Sequence, residues 1–325
     1  MADLTQFGAG SLDKTFTSGD WGASQVGGKI LGLPQGSGPM VLFYNKAVFD
    51  KYKLTVPTTW EEYVAAAKKL NAADPSKYIT ADNGDSGFTA SMIWQAGGRP
   101  YKVDGTDVTI NFNDPGVAKF TKMWQPLIDG KLLAKINPWT DEWFQALSDG
   151  TIATLASGAW MPANLEGSAP KASGNWRVTQ MPQYEKGKSV TAQNGGGGLS
   201  IMEASKNKDL AYAFLNYAAV GPGAQSYADQ GEFPTQNSIL DSPEFLNAAP
   251  KYFGGQKINQ VLSAAAGNVA AGWQYLPFQP YANTIFANTV GQAWTSSGTT
   301  LEQGLMNWQK ASLKYAGEQG FTVHQ

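Results

Sequence analysis

The amino-acid sequence predicts an α/β protein with two domains. Segments with apolar residues at helical spacing alternate with short strand-like runs along the whole chain, which is the pattern of α/β folds. The chain has 325 residues, more than one domain usually contains. Its composition, 42% hydrophobic and 15% charged, is that of a globular protein with a sizeable core.

Two strand signals precede the first long helix. Val26 to Leu33, with Gly27 and Gly28 at a turn, predicts a hairpin strand, and Met40 to Tyr44 is a continuous apolar run suited to a strand buried on both faces. Asn45 directly follows that run and is predicted to cap the next helix through its side-chain oxygen.

The remaining elements follow in alternation. Periodic apolar residues and N-cap signals predict helices in these segments: one opened by Thr58 or Thr59, Phe88 to Gln95, Pro115 to Ile128, Thr140 to Asp149, one opened by Ser205 to Asp209, Ala224 to Asp229, and Leu301 to Tyr315. Strands are predicted at Thr151 to Ala156, at Trp176 to Met181 and after Asn194. The helix opened by Ser205 has its apolar residues at Leu210, Ala213, Phe214, Tyr217 and Ala218.

Composition excludes several classes of function. The net charge of −2 provides no basic face for nucleic acid. The chain has no cysteine and a single histidine, His324, which is expected to lie in a frayed tail. A cysteine nucleophile, a Ser-His-Asp triad, thiolate metal sites and His-rich metal sites are therefore not expected, and we expect no cofactor and no metal.

The N-terminal segment and the length of the apolar runs bear on where the protein is located. No apolar run reaches the ~20 residues of a transmembrane helix. The first 16 residues have neither a basic segment nor an apolar segment, so no signal peptide is expected in this chain. These observations predict either a cytosolic protein or one whose export segment is not included.

Six segments together resemble the sugar-binding proteins of bacterial ABC importers. They occur in the order of that family: GPMVLFYNK, DSGFTASMIWQAGG, GTIATLASGAW, NGGGGLSIMEASKNKDLAYAFLNYAA, GEFPTQNSILDSPEF and SSGTTLEQGLMNWQK. Each motif alone has low specificity, and their shared order carries the resemblance. It implies a periplasmic-binding-protein-like clamp of type II with two lobes.

The resemblance also implies a division of the chain. The first lobe would comprise residues 1–38 and 198–244, and the second lobe residues 40–193 and 245–325, with crossings near 36–42, 193–199 and 233–245. Family members normally carry roughly one hundred further residues at the front, so the first lobe is expected to be incomplete. Its apolar faces would be uncovered, unless an N-terminal segment or a second chain supplies the missing part.

The function implied by the resemblance is extracellular binding of a di- or oligosaccharide. Hinge closure around the sugar would then present it to the permease subunits of an ABC transporter. The full-length protein is expected to be periplasmic or lipid-anchored at the cell surface, and it is not expected to be an enzyme. A sugar offers one apolar face and a rim of hydroxyls, so its site needs a flat aromatic ring together with amide or carboxylate groups.

Trp160 matches the stacking tryptophan of the family, with core packing as the alternative. Asp85 matches a cleft residue that accepts hydroxyl protons, and a helix N-cap is its alternative or additional role. Asn194 and Gly195 stand in the glycine-rich crossing, where they either contact ligand hydroxyls or form a hinge without ligand contact.

Two later segments complete the expected site. Glu232 and Phe233, at the third crossing, would supply a carboxylate and a wall. Trp273, Tyr275 and Tyr281 lie in an aromatic run with two prolines that suits a loop at the edge of the cleft, and one or two of them are expected to reach the ligand. By contrast, helical spacing assigns five tryptophans to structure: Trp60, Trp124, Trp143, Trp294 and Trp308.

Two competing functions remain open from sequence. A glycoside-active enzyme would need a carboxylate pair. Asp141 with Glu142 makes a poor pair, because adjacent residues point to different sides of a helix, and Asp85 with Glu232 is the other choice. A clamp of the same fold for a peptide, a metal or an anion is the second alternative. Few convergent Arg or Lys residues and a single histidine speak against a metal or an anion.

Overall fold

The structure is a computed structural model that describes residues 1–295 and 298–325. Its helices are α1 (Ser18–Ala23), α2 (Lys46–Lys51), α3 (Trp60–Ala73), α4 (Ser86–Gln95), α5 (Pro115–Asp129), α6 (Asp141–Ser148), α7 (Met161–Ser168), α8 (Lys208–Ala219), α9 (Pro222–Asp229), α10 (Asn237–Leu240), α11 (Pro243–Asn247), α12 (Ile258–Gly267), α13 (Gln279–Thr284), α14 (Gln292–Thr295) and α15 (Leu301–Glu318). Single 3-10 turns lie at Leu4–Phe7, Ala9–Leu12, Pro170–Ala172 and Lys251–Phe253. Its strands are β1 (Gln25–Val26), β2 (Lys29–Ile30), β3 (Leu33–Asn45), β4 (Thr80–Ala81), β5 (Tyr101–Asp104), β6 (Asp107–Ile110), β7 (Leu133–Ala134), β8 (Thr154–Gly158), β9 (Trp176–Gln180), β10 (Gln193–Leu199) and β11 (Thr322–His324).

The helix starts follow the predicted capping signals. Asn45 accepts a hydrogen bond from the Val48 amide, 3.2 Å away, at the start of α2. Thr59 and Glu62 form a capping box at α3, so that two otherwise unpaired amides of the first turn are satisfied. Thr140 and Thr300 each accept one hydrogen bond at the starts of α6 and α15, from the amides of Trp143 and Gln303. Local side-chain chemistry therefore sets the register of these helices.

The chain forms two compact units. Unit 1 contains Met1–Val41, Ser157–Val178 and Gln193–Val269, and unit 2 contains Leu42–Ala156, Thr179–Ala192 and Ala270–Gln325. The lobes predicted from sequence differ from these units chiefly at 157–178 and 245–269, which the structure groups with unit 1. The Tyr252 hydroxyl joins those two segments by donating to the Ala169 carbonyl at 2.9 Å. The lobe boundaries stay a prediction.

Unit 1 is built around the paired strands β3 and β10. They run antiparallel, with Leu33 opposite Leu199 and Ser37 opposite Gly196, and β8 and β9 are the other strands that pair with β3. A hydrophobic cluster of unit 1 joins the start of the chain to the segment after β10; its buried members are Ala2, Leu4, Ala9, Phe16, Trp21, Ile30, Leu33, Ile201, Leu215 and Ala219. The predicted hairpin before β3 is confirmed as β1 and β2.

The apolar residues of α8 face outward as well as inward. Leu215, Ala218 and Ala219 are the buried residues of this helix, whereas Leu210 and Phe214 are 73% and 60% exposed and Tyr217 is 56% exposed. Helix α8 is thus apolar on two faces. Of the apolar positions that the sequence singled out there, Ala218 is buried and Leu210, Phe214 and Tyr217 are not.

Unit 2 has an aromatic core. Trp60, Tyr63 and Trp124 are each at most 1% exposed, and the indole of Trp60 lies 6.1 Å from that of Trp124, edge to face. Trp143 and Trp308 are buried as well, which confirms the structural assignment of these four tryptophans. The prediction of a frayed tail at His324 is wrong, because β11 pairs in parallel with β6 and the imidazole Nε2 lies 3.2 Å from an Asp107 carboxylate oxygen.

Within residues 1–295 and 298–325, no helix is both long enough and apolar enough to span a membrane.

Candidate functional site

A pocket of about 540 Å³ lies in unit 1. Three parts of the unit supply its lining: the backbones of β3 and β10, the start of α7, and the end of α9 with the loop after it. The lining residues are Gln35, Gly36, Ser37, Trp160, Asn164, Gly195, Gly196, Gly197, Gly198, Tyr227 and Glu232. The pocket therefore offers one indole ring, one phenol, two side-chain amides, one hydroxyl, one carboxylate and a row of backbone amides.

Trp160 is fixed in this lining by its own indole nitrogen. Nε1 donates a hydrogen bond to the backbone carbonyl of Asn194 over 2.6 Å, and the residue forms the N-cap of α7. A Cβ at Gly158 would lie 2.3 Å from that nitrogen and 2.4 Å from the Asn194 oxygen, distances that no real Cβ tolerates. Gly158 is therefore required for the indole to reach β10.

The glycine run lets the β10 backbone approach its neighbours closely. Gly195 and Gly196 have φ of +79° and +95°, a region that side chains disfavour. A Cβ at Gly198 would lie 2.5 Å from the Leu33 carbonyl, whereas one at Gly197 would meet nothing within 4 Å. The absence of a side chain at Gly198 therefore allows β10 to pair closely with β3. At Gly197 it leaves the backbone accessible from the pocket.

Tyr227 and Glu232 both line the pocket, and their side chains are hydrogen-bonded to each other. The Tyr227 hydroxyl donates to Glu232 Oε2 over 3.5 Å, the long end of hydrogen-bond distances. Burial, and then the negative charge of Glu232, raises the pKa of Tyr227 to about 12, so the phenol keeps its proton at neutral pH. A Cβ at Gly36 would lie 2.4 Å from the Tyr227 oxygen, so this glycine makes room for the phenol.

A buried polar network supports the strand pair behind the lining. Gln193 Nε2 donates to Asp20 Oδ1 at 2.8 Å, while Gln193 Oε1 accepts from the Gly38 amide at 2.9 Å and from the Ser37 hydroxyl at 3.2 Å. Thr17 donates to the other Asp20 oxygen. Burial is the largest influence on Asp20 and raises the pKa of its carboxyl group, against the effect of these donors. The network ties α1 to both strands.

The structure brings together four of the residues predicted for the site. Trp160, Gly195 and Glu232 line the pocket, and Asn194 holds Trp160 through its backbone carbonyl. Phe233 is only 2% exposed and packs 5.9 Å from the ring of Phe245. It therefore lies in the core of unit 1, adjacent in sequence to a pocket residue.

The other predicted residues belong to unit 2. Asp85 is the N-cap of α4 and accepts from the Phe88 amide at 2.5 Å, which is the alternative role that the sequence left open. Trp273 stacks on Trp94 with 5.3 Å between ring centroids. Their roles as ligand contacts stay predictions.

The two tyrosines of the same aromatic run differ in exposure. Tyr275 is 56% exposed, whereas Tyr281 stacks on Tyr315 with 3.5 Å between ring centroids. Ligand contact by either tyrosine also stays a prediction.

Sequence reasoning missed several lining residues. Gln35, Gly36 and Ser37 stand in a strand whose apolar run begins only at Met40, and this polar stretch was the available signal. Asn164 comes one helical turn after Trp160 and donates to its carbonyl at 3.2 Å, so helical spacing from Trp160 pointed to it. Tyr227 had no comparable local signal.

The described residues hold no group of three or more His, Asp and Glu side chains arranged to bind a metal ion. No cofactor site is assigned.

Comparison with known proteins agrees with this fold. The family described as bacterial extracellular solute-binding protein matches residues 2–225. An ABC transporter associated binding protein from B. animalis subsp. lactis Bl-04, solved with β-1,6-galactobiose, has a TM-score of 0.93 and 41% identity, over 100% of this chain and 82% of the other. The galacto-N-biose/lacto-N-biose I-binding protein of an ABC transporter from Bifidobacterium longum, solved with lacto-N-biose, has a TM-score of 0.84 and 29% identity, over 100% and 79%.

Curated relatives are more distant in sequence. The lactose-binding protein of Rhizobium radiobacter is 26% identical over 292 residues, which are 85% of this chain and 64% of that protein. An arabinooligosaccharide-binding protein of Halalkalibacterium halodurans is 25% identical over 72% of this chain and 54% of its own length. The chain thus spans between half and two thirds of the length of these two relatives.

These matches establish the class of protein. The chain belongs to the bacterial extracellular solute-binding protein family, and its α/β fold is that of solved sugar-binding proteins of ABC transporters. The predicted fold class is confirmed, and the incompleteness of the first lobe stays a prediction.

Proposed function

We propose that this chain binds a di- or oligosaccharide in the pocket of unit 1. The observation that carries the proposal is the pairing of one fixed indole, Trp160, with amide, hydroxyl and carboxylate groups in a pocket of about 540 Å³. Such a ring suits the C–H face of a pyranose, and such polar groups suit its hydroxyls. A volume of this order is that of a typical small-ligand site.

The wider role follows from the family. We propose an extracellular protein, periplasmic or surface-anchored, that delivers its sugar to the permease subunits of an ABC transporter through hinge closure. The sugars in the names and structures of its relatives, β-1,6-galactobiose, lacto-N-biose and lactose, support a disaccharide or longer ligand.

Binding without catalysis is part of the proposal. Hydrolysis of a glycosidic bond uses two carboxyl groups at a defined separation, and Glu232 is the single carboxylate in the described lining. Asp141 and Glu142 lie in the first turn of α6, where acidic residues favour helix formation. Asp85 caps a helix of unit 2. The relatives are themselves named as binding proteins.

The exposed stripe of α8 supports the expectation of a further polypeptide segment. Leu210, Phe214 and Tyr217 follow helical spacing and are all more than half exposed, the pattern of a helix face that another apolar segment covers. We propose that an additional N-terminal segment, or a second chain supplying it, packs there.

Titration calorimetry of the 325-residue chain tests the binding proposal. The ligands are β-1,6-galactobiose, lacto-N-biose, lactose and an arabinooligosaccharide, and a thermal melt with each sugar gives an independent readout, because a ligand specific to the folded state raises Tm. Saturable binding that Trp160→Ala strongly weakens is the expected result. Hydrolysis products in the recovered sugar would overturn the proposal that the protein binds without catalysis. A folded chain that binds none of the sugars would overturn the proposal of sugar binding itself.

A further inference from the structure

We infer that Glu232 makes this site selective for neutral sugars by rejecting those that carry a carboxylate, sulfate or phosphate group. This inference rests on the proposed function and adds the ligand charge that the site accepts. Relatives of this chain include a protein named for sn-glycerol-3-phosphate, so the family as a whole does not fix the charge of the ligand.

The described pocket lining contains a negatively charged side chain and no positively charged one. Among the described lining residues Glu232 alone is charged, and no lysine, arginine or histidine belongs to that lining. Glu232 also takes part in none of the ion pairs found in residues 1–295 and 298–325. The lining therefore carries one uncompensated negative charge.

The carboxylate is held in place by neutral groups. Tyr227 is its side-chain hydrogen-bond partner in the part of the chain that the structure describes, at 3.5 Å. The tyrosine stays protonated, since its pKa is raised to about 12, and it therefore leaves the negative charge on Glu232 in place. Gly36 provides the room that keeps the phenol beside the carboxylate.

The long Tyr227 contact leaves the Glu232 oxygens available to a ligand. A carboxylate accepts hydrogen bonds from sugar hydroxyls, and these charge-assisted bonds are stronger than neutral ones. An anionic group in the same position would face a like charge in a partly desolvated pocket without a cation to compensate it. Replacing one hydroxymethyl group of the ligand by a carboxylate therefore changes attraction into repulsion.

A matched pair of ligands tests the inference. Calorimetry is carried out with β-1,6-galactobiose and with the disaccharide in which its non-reducing galactose is replaced by galacturonic acid. The proteins are the full chain, Glu232→Gln, Tyr227→Phe and, as a control on the same unit, Glu244→Gln; Glu244 is exposed and does not line the pocket. We expect the unchanged chain to prefer the neutral sugar by at least about 10-fold, because like charges across an interface repel each other.

The variants separate charge from hydrogen bonding. Glu232→Gln keeps the shape of the side chain. This substitution should reduce the preference for the neutral sugar over the acidic sugar by about 10-fold or more, in part by strengthening binding of the acidic sugar. Tyr227→Phe keeps the charge and should preserve the preference, and Glu244→Gln should change nothing. Thermal melts confirm that each variant is folded.

The possible results are distinguishable. If the chain binds both sugars equally, or if Glu232→Gln leaves the preference unchanged, the inference is overturned while sugar binding stands. If neither these sugars nor the neutral panel bind to the folded chain, the proposed function fails and the inference fails with it.

Discussion

The indole nitrogen of Trp160 donates a hydrogen bond to the backbone carbonyl of Asn194 over 2.6 Å. This bond connects the N-cap residue of α7 to the glycine-rich strand β10, and both segments line the pocket. The aromatic ring and the open backbone of the site are therefore positioned by one contact.

Trp160→Phe and Trp160→Ala separate the ring from its hydrogen bond. Trp160→Phe keeps an aromatic face but loses the donor that holds the ring against Asn194, and because the ring is then less well positioned for the ligand we expect disaccharide affinity to fall about fivefold. Trp160→Ala also removes the face, and a loss of about 30-fold or more is expected, as for buried aromatic anchors. Calorimetry measures both. Trp139→Phe, at an exposed tryptophan of unit 2, is the control, and equal affinity of all three variants would contradict the assigned role.

Gly38→Ala should destabilise unit 1 because β3 and β10 approach too closely for a side chain. Its Cβ would lie 2.2 Å from the Asn194 carbonyl oxygen, and such overpacking costs ~1–3 kcal/mol. Gly197→Ala is the matched control on the partner strand, since its Cβ meets nothing within 4 Å, and its free energy of unfolding should change by less than about 1 kcal/mol. Urea unfolding measures both, and an equal effect of the two substitutions would show that the close approach does not matter.

Local chemistry made much of the fold predictable. The caps at Asn45, Thr59 and Thr140 each depend on residues within one turn, so the sequence identified these helix starts. The glycine-rich crossing and Trp160 were found for the same reason. Tyr227, by contrast, reaches the pocket where its phenol lies against Gly36 of β3, and no residue near it in sequence indicates that contact.

In helix α8, the spacing of the apolar residues predicts the helix but not which of its faces is buried. Its sequence places apolar residues on two faces, and helical spacing alone cannot decide which face meets the core. Long-range contacts with the start of the chain decide it: Leu215 and Ala219 join the cluster that contains Leu4 and Phe16.

Leu215→Ala and Phe214→Ala test this reading of α8 at neighbouring positions. Leu215 is 4% exposed, so its truncation should cost ~2–5 kcal/mol of unfolding free energy. Phe214 is 60% exposed, and its truncation should cost less than about 0.5 kcal/mol. Urea unfolding of the 325-residue chain provides the comparison. A large loss at Phe214 in this chain would mean that the exposed stripe is already covered.

Asp82 is expected to make the stability of unit 2 depend on pH. Its carboxylate accepts hydrogen bonds from the Trp124 indole at 2.8 Å and from the Gly84 amide at 2.9 Å, but burial outweighs these donors and raises its pKa from 3.8 to about 6. Between these two values the folded state binds more protons than the unfolded state. The free energy of unfolding should therefore fall as pH rises from about 4 to about 6, by on the order of 3 kcal/mol, and then level off.

Asp82→Asn isolates this contribution, because an amide does not titrate. Urea unfolding of both proteins at half-unit steps between pH 4 and pH 7.5 gives two curves, and their difference removes the effects of the other carboxyl groups. Those groups include Asp74, whose pKa is lowered to about 2 by its hydrogen bonds with Ser76 and Tyr52 and whose contribution therefore changes below pH 4. We expect the advantage of the Asp82 protein over the variant to shrink steadily as pH rises to about 6. Parallel curves over this range would show that the Asp82 carboxyl group titrates alike in the folded and unfolded chains, and that burial does not control its protonation.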